Sequence, residues 1–171
     1  LKDRYFIPKD VRLTNKRLHE KPAAANFKET LINIPDDIKT QFLRQCFGKF
    51  KLNEKKISSH LFMSKEEIQD LKKQGMIVGN HSHNHHAFDV IPEEAMRAEI
   101  ELSDKILRDL LGDAPRIFSY PHGRNNQASC RVLKEMGFQY VFTIEKKEVG
   151  PNDDPLLLPR YDTNDIKKFY A

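Results

Sequence analysis

The chain has 171 residues, 39% hydrophobic and 32% charged, with two cysteines, which suits one folded domain and excludes a disulfide framework. No apolar run approaches the ~20 residues of a membrane helix. The net charge of +4 is uneven, because residues 1–75 carry seven more basic than acidic side chains and residues 76–171 three fewer. The lysines are scattered and no aromatic-rich RNA-binding signature accompanies them, so the basic half reads as a solvated surface rather than a nucleic-acid interface.

Tyr5-Phe6-Ile7-Pro8 is a short apolar run closed by proline and predicts a strand. Residues 9–34 are basic and irregular, with helix expected only after Pro22. Pro35-Asp36-Asp37 opens a helix, since proline and acidic groups suit the positive end of the dipole. Ile38, Phe42, Leu43, Cys46 and Phe47 recur at helical spacing, and Gly48 ends the pattern. Residues 49–60 read as polar connection, and 9–60 together as an insertion or lid without core strands.

Ser64-Lys65-Glu66-Glu67 has the form of a capping box, and Gly75 closes the helix it starts. Met76-Ile77-Val78-Gly79 predicts a buried strand. A long helix is expected from Pro92 to Leu111, with Met96, Ile100, Leu107 and Leu111 inward. Then come a strand over Arg116–Tyr120, a helix over Asn126–Met136, and strands over Gln139–Ile144 and Leu156–Tyr161. This alternation predicts an α/β fold with a mostly parallel sheet, whose sites gather at the carboxyl ends of strands.

Five of the seven histidines lie at two such ends, four of them in Asn80-His81-Ser82-His83-Asn84-His85-His86 and the fifth at His122. Neutral imidazole binds zinc and similar divalent ions well. A helical turn after residue 80 would aim His81 and His85 the same way, with Ser82 capping it. His83/His86 is the competing pair. Asp89, four past His85, is a candidate carboxylate ligand. In Phe118-Ser119-Tyr120-Pro121-His122-Gly123, Pro121 stiffens the loop and Gly123 permits positive φ; a backbone N–H in such a loop can be aimed at a developing oxyanion, and by itself the run equally describes an ordinary strand-to-loop turn.

Together these stretches resemble a family. Gly79-Asn80-His81-Ser82-His83-Asn84-His85 resembles the second motif, His-Ser/Thr-x-x-His, of polysaccharide deacetylases of the NodB-homology type (carbohydrate esterase family 4). Phe118-Ser119-Tyr120-Pro121-His122-Gly123 resembles the third, and Leu158-Pro159-Arg160 the closing segment. The resemblance is best over residues 62–162 of a single domain spanning 1–171. It implies a deformed (β/α) barrel and metal-dependent removal of N-acetyl groups from an amino sugar or polysaccharide. His81 and His85 would hold a divalent metal, zinc by preference. The backbone N–H of His122 would serve the oxyanion. Tyr120, Pro121, Gly123 and Arg160 would contact the N-acetylated saccharide.

The departures are equally definite. The family's first motif, Thr-Phe-Asp-Asp, is absent, and Asp36-Asp37 opens a helix instead of ending a strand. The opening Lys2–Pro8 resembles the second strand, so the barrel is expected to lack its first strand and a carboxylate pair is expected upstream. Such a segment alone should be weakly metallated and nearly inactive. Arg160 stands where many members have a histidine acid, and arginine keeps its proton. Two other readings are a non-catalytic carbohydrate-binding relative and a basic nucleic-acid-binding domain with a structural metal. Leu1–Asp10 is charged and does not read as a signal peptide, and with Leu at position 1 the location stays open between cytoplasm and cell envelope.

Overall fold

The computed structural model describes residues 22–113, 115–163 and 165. The strand expected at Tyr5–Ile7 lies outside them. The chain divides into two compact units, Leu1–Phe62 and Met63–Ala171.

The described part of the first unit is helical: α1 (Pro22–Asn33), α2 (Asp36–Lys49) and α3 (Glu54–Leu61). Pro35 precedes α2, and Asp36 and Asp37 occupy its first turn. Phe27 and Phe42 pack with ring centroids 5.7 Å apart, joining α1 to α2. The polar connection expected over 49–60 is corrected by α3. Asn53 caps it, its side chain accepting from the Lys56 N–H at 2.9 Å, and Glu54 sits favourably in the first turn.

The second unit is α/β. Helix α4 (Lys65–Lys73) begins with the expected capping box, in which Ser64 Oγ accepts from the Glu67 N–H and the Glu67 carboxylate accepts from the Ser64 N–H. Helices α5 (Glu93–Leu111) and α6 (Gln127–Glu135) follow, with strands β1 (Ile117–Ser119) and β2 (Tyr140–Phe142). The strands pair in parallel, Phe118 opposite Val141. Single parallel bridges extend this ladder on both sides, Asn80 to Phe118 and Phe142 to Leu158. Leu156–Tyr161 is thus reduced from a strand to one bridge.

The buried strand expected at Met76–Gly79 does not form; Met76 and Ile77 are 57% and 69% exposed. The cause lies in how α4 ends. Gly75 adopts φ +85°, its N–H bonds Lys72 O, and the Met76 N–H returns to Leu71 O at 3.0 Å, a Schellman closure that commits the first donor of the run to the helix. Only Asn80 reaches the ladder, donating to Ile117 O and accepting from the Ser119 N–H.

The core of this unit gathers Phe88, Met96, Ile100, Phe118, Tyr120, Val132, Leu133, Phe138 and Val141. Phe118 is its hub, with ring centroids 5.3 Å from Phe88, 5.9 Å from Tyr120 and 5.5 Å from Phe138. The contacts with Tyr120 and Phe138 are edge-to-face, which adds to simple area burial. Leu107 and Leu111 on α5 are half-buried. Among the described residues no helix is long and apolar enough to cross a membrane.

Candidate metal centre

Residue 80 is where the ladder becomes a site. Its backbone is pinned to β1, and its side chain is buried in a polar network. Asn80 Oδ1 accepts from the Ser82 N–H and from Ser103 Oγ, both at 2.9 Å. Its Nδ2 donates to Asp104 at 2.7 Å. Arg116 binds the other oxygen of Asp104 at 2.7 Å. A buried amide with both ends occupied fixes where the next residue begins.

That residue is His81. Its Nδ1 lies 2.6 Å from Ser119 O. A carbonyl only accepts, so Nδ1 carries the proton and Nε2 of the neutral ring keeps its lone pair. His85 Nε2 stands 3.0 Å from that atom. The pair meets without the helical turn expected between them. Ser82 and His85 instead take left-handed backbone, φ +64° and +59°, and Ser82 Oγ accepts from the His85 N–H at 3.0 Å. Both residues are exposed, with the His85 ring partly covered by His122.

His83 and His86 do not form a competing pair at this point. The His83 N–H donates to Glu99 at 3.1 Å, and His86 Nδ1 lies 3.3 Å from the same carboxylate. Asn84 gives Glu99 both its N–H and its side-chain amide, each at 2.7 Å. Burial alone would raise the Glu99 carboxyl, but these donors and the adjoining His86 hold it below the usual range. Asp89 is not aimed at the histidines; it pairs with Arg124 at 2.9 Å, linking the segment after the histidine loop to the segment after β1.

His122 lies in a short 3-10 turn, Pro121–Gly123, with φ +58°. Its ring packs edge-on against His85, centroids 4.3 Å apart. Desolvation, followed by the charges of His122, His81 and His86, pushes the His85 imidazolium down to about 4. His85 is therefore a neutral donor at ordinary pH.

The other expected contacts fall elsewhere. Tyr120 and Pro121 are buried in the core behind the turn. The Tyr120 hydroxyl donates to Leu156 O and touches Cys130 Sγ, both at 3.3 Å, and burial with that thiol raises its pKa. Gly123 has φ +68° and is partly exposed. Arg160 is exposed, its Nε donating to Thr143 O at 2.9 Å beyond the end of β2.

The donor set fits a divalent ion in part. Two nitrogens on one zinc, each at ~2.0–2.1 Å, lie ~3 Å apart at ordinary coordination angles, as the two Nε2 atoms do. Among the described residues, however, no three His, Cys, Asp or Glu side chains gather as a ligand set. Sequence reasoning missed Glu99, Ser103 and Asp104. The signal was their spacing, since Glu99 and Ser103 share the Met96–Ile100 face of α5.

Comparison with known proteins gives the family. Residues 28–141 match the polysaccharide deacetylase family. The poly-beta-1,6-N-acetyl-D-glucosamine N-deacetylases of Staphylococcus aureus strain MRSA252 and Staphylococcus epidermidis strain ATCC 35984 are each 26% identical over 107 residues, 57% of this chain and 37% of theirs. The chain thus spans little more than a third of those relatives' length. Among solved structures, IcaB from Ammonifex degensii is 25% identical with a TM-score of 0.56, over 63% of this chain and 52% of that one. Streptococcus pyogenes deacetylase PplD in complex with acetate is 19% identical with a TM-score of 0.57, over 61% and 46%, a likeness of fold alone. With more than half its length matched, both histidine-bearing loops included, the chain belongs to the polysaccharide deacetylase family.

Proposed function

We propose that the protein is a metal-dependent N-deacetylase of an N-acetylglucosamine polymer, built on a deformed (β/α) barrel. The observation that carries this reading is the convergence of His81 Nε2 and His85 Nε2 at 3.0 Å beside the end of β1. The substrate class follows the curated relatives, which are named for poly-beta-1,6-N-acetyl-D-glucosamine.

A divalent ion such as zinc, when bound, supplies a Lewis acid for the acetyl carbonyl and acidifies a water. His81 and His85 would hold it, His81 oriented through its Nδ1–H by Ser119 O. The His122 backbone N–H, in the turn beside His85, is assigned to the oxyanion that develops on the acetyl group. Tyr120 and Pro121 stiffen that turn from behind. Gly123 and Arg160 are assigned to saccharide contact. Arg160 keeps its proton, so it orients substrate and does not protonate the leaving amine.

The test is acetate release from an N-acetylated β-1,6-glucosamine oligomer by the zinc-loaded natural full-length protein, alongside His81→Ala and His85→Ala made in it. Release by the parent and a loss of at least 10²-fold in each variant are expected. A folded, zinc-loaded parent that binds the oligomer and releases no acetate would reduce the protein to a carbohydrate-binding relative.

A further inference from the structure

We infer that Glu99 on α5 is the positioning residue that sets His85 opposite His81, an inference that rests on the metal-site reading above. Glu99 is 8% exposed, and its carboxylate meets four nitrogen groups of the histidine loop. Oε2 faces the N–H groups of His83 and Asn84 at 3.1 and 2.7 Å. Oε1 faces Asn84 Nδ2 at 2.7 Å and His86 Nδ1 at 3.3 Å.

The geometry gives this carboxylate a task beyond filling space. Ser82 and His85 both hold left-handed backbone, which non-glycine residues resist. Residues 83 and 84 lie between them and take part in no ladder or helix. Something must fix those two peptides if His85 is to arrive within reach of His81. On the near side Asn80 fixes the Ser82 N–H. On the far side Glu99 fixes the next two N–H groups. An ionised carboxylate is acceptor-only at both oxygens, with about four lone-pair sites, and the loop offers mainly donors. Glutamine has the same shape but turns an NH2 group toward one pair of them. Because Glu99 projects from a 19-residue helix packed on the core, the loop is referenced to a rigid element.

The experiment is a cobalt(II) or zinc titration of the natural full-length protein, with Glu99→Gln, Asn84→Ala and His81→Ala made in it, beside the melting temperature of each metal-free form. Partners that orient metal ligands typically contribute 10–100-fold in affinity. Glu99→Gln should bind 10–100-fold more weakly and show an altered cobalt absorption spectrum while its metal-free form still melts cooperatively. Asn84→Ala, which removes one donor and leaves both backbone contacts, should show a smaller loss in the same direction and keeps the inference testable if Glu99→Gln fails to fold. A parent that binds no better than His81→Ala overturns the metal site itself. A parent that binds tightly, lost in His81→Ala and kept within twofold in Glu99→Gln or, if that variant does not fold, in Asn84→Ala, overturns the role of Glu99 alone.

Discussion

Asn80 donates its side-chain amide to Asp104 across 2.7 Å, and Arg116 donates to the other oxygen of the same carboxylate at the same distance. Asn80 and Asp104 are 2% and 3% exposed, so neither finds water as a substitute partner. The link runs from the residue that precedes His81 to α5 and on to the segment that enters β1. Polar groups this deep are costly once one partner is removed.

Asp104→Ala should therefore destabilise the protein by about 2–4 kcal/mol, since it leaves the Asn80 amide only a 3.5 Å contact with Ile100 O and Arg116 without its nearer acceptor. Urea unfolding measures this. A change under about 0.5 kcal/mol, the level of an ordinary surface substitution, would show that the network is dispensable.

The histidine loop makes a sharper prediction because its four imidazoles are not equivalent. His81→Ala or His85→Ala should abolish zinc or cobalt binding, while His83→Ala should leave it within a few-fold. His83 contributes its backbone N–H to Glu99, and alanine keeps that group. Equal losses in all three variants would mean that the ion is held by the run as a whole.

The sequence carried this pair only halfway. Their spacing of four pointed to a shared ion through a helical turn, but the turn is absent, and Ser82 and His85 at positive φ bring the rings together instead. No periodicity announces left-handed backbone at serine and histidine, and the carboxylate that accepts from the N–H groups between them, Glu99, lies on another element, α5. Asp89 looked available at its spacing, yet Arg124, 35 residues on, takes it. By contrast, the capping box at Ser64 and Glu67 is legible because both halves of the bond lie within one turn. Met76–Gly79 has the composition of a buried strand and misleads for the same reason in reverse, since burial depends on neighbours that composition does not specify.

His85 gives a prediction in pH. Its imidazolium is pushed down to about 4 by burial first and by His122, His81 and His86 after it, against ~6.5 for a free imidazole. Between these values the unfolded chain binds more protons than the folded one. This contribution to stability is complete above about 6.5 and is lost as pH falls toward 4. In metal-free protein the His85 ring resonances should titrate near 4 by NMR. His122→Ala should raise that midpoint, because it removes a covering ring and a repelling charge together. An ordinary midpoint in the parent, or one unmoved by the variant, contradicts the arrangement.

The last prediction concerns the turn that carries His122. Gly123 holds φ +68°, and a Cβ built there would stand 2.3 Å from Ile144 Cγ1, 2.7 Å from Cγ2 and 2.8 Å from Cδ1. Carbon atoms in good contact lie ~3.5–4.0 Å apart. Ile144 is β-branched and stiff at χ1, so it has few rotamers into which to retreat. Either its side chain or the Pro121–Gly123 backbone has to move, and the second would carry His122 away from His85. Alanine also resists left-handed backbone by about 1–2 kcal/mol. With overpacking of about 1–3 kcal/mol added, Gly123→Ala should destabilise by about 2–5 kcal/mol. The two contributions separate by a second substitution. Ile144→Ala should cost little alone, since Ile144 is 41% exposed, yet combined with Gly123→Ala it should recover the overpacking share and leave the backbone share of about 1–2 kcal/mol. Unfolding of the four proteins in urea closes this cycle. If the double variant is no more stable than Gly123→Ala, the contact with Ile144 is not what reserves position 123 for glycine.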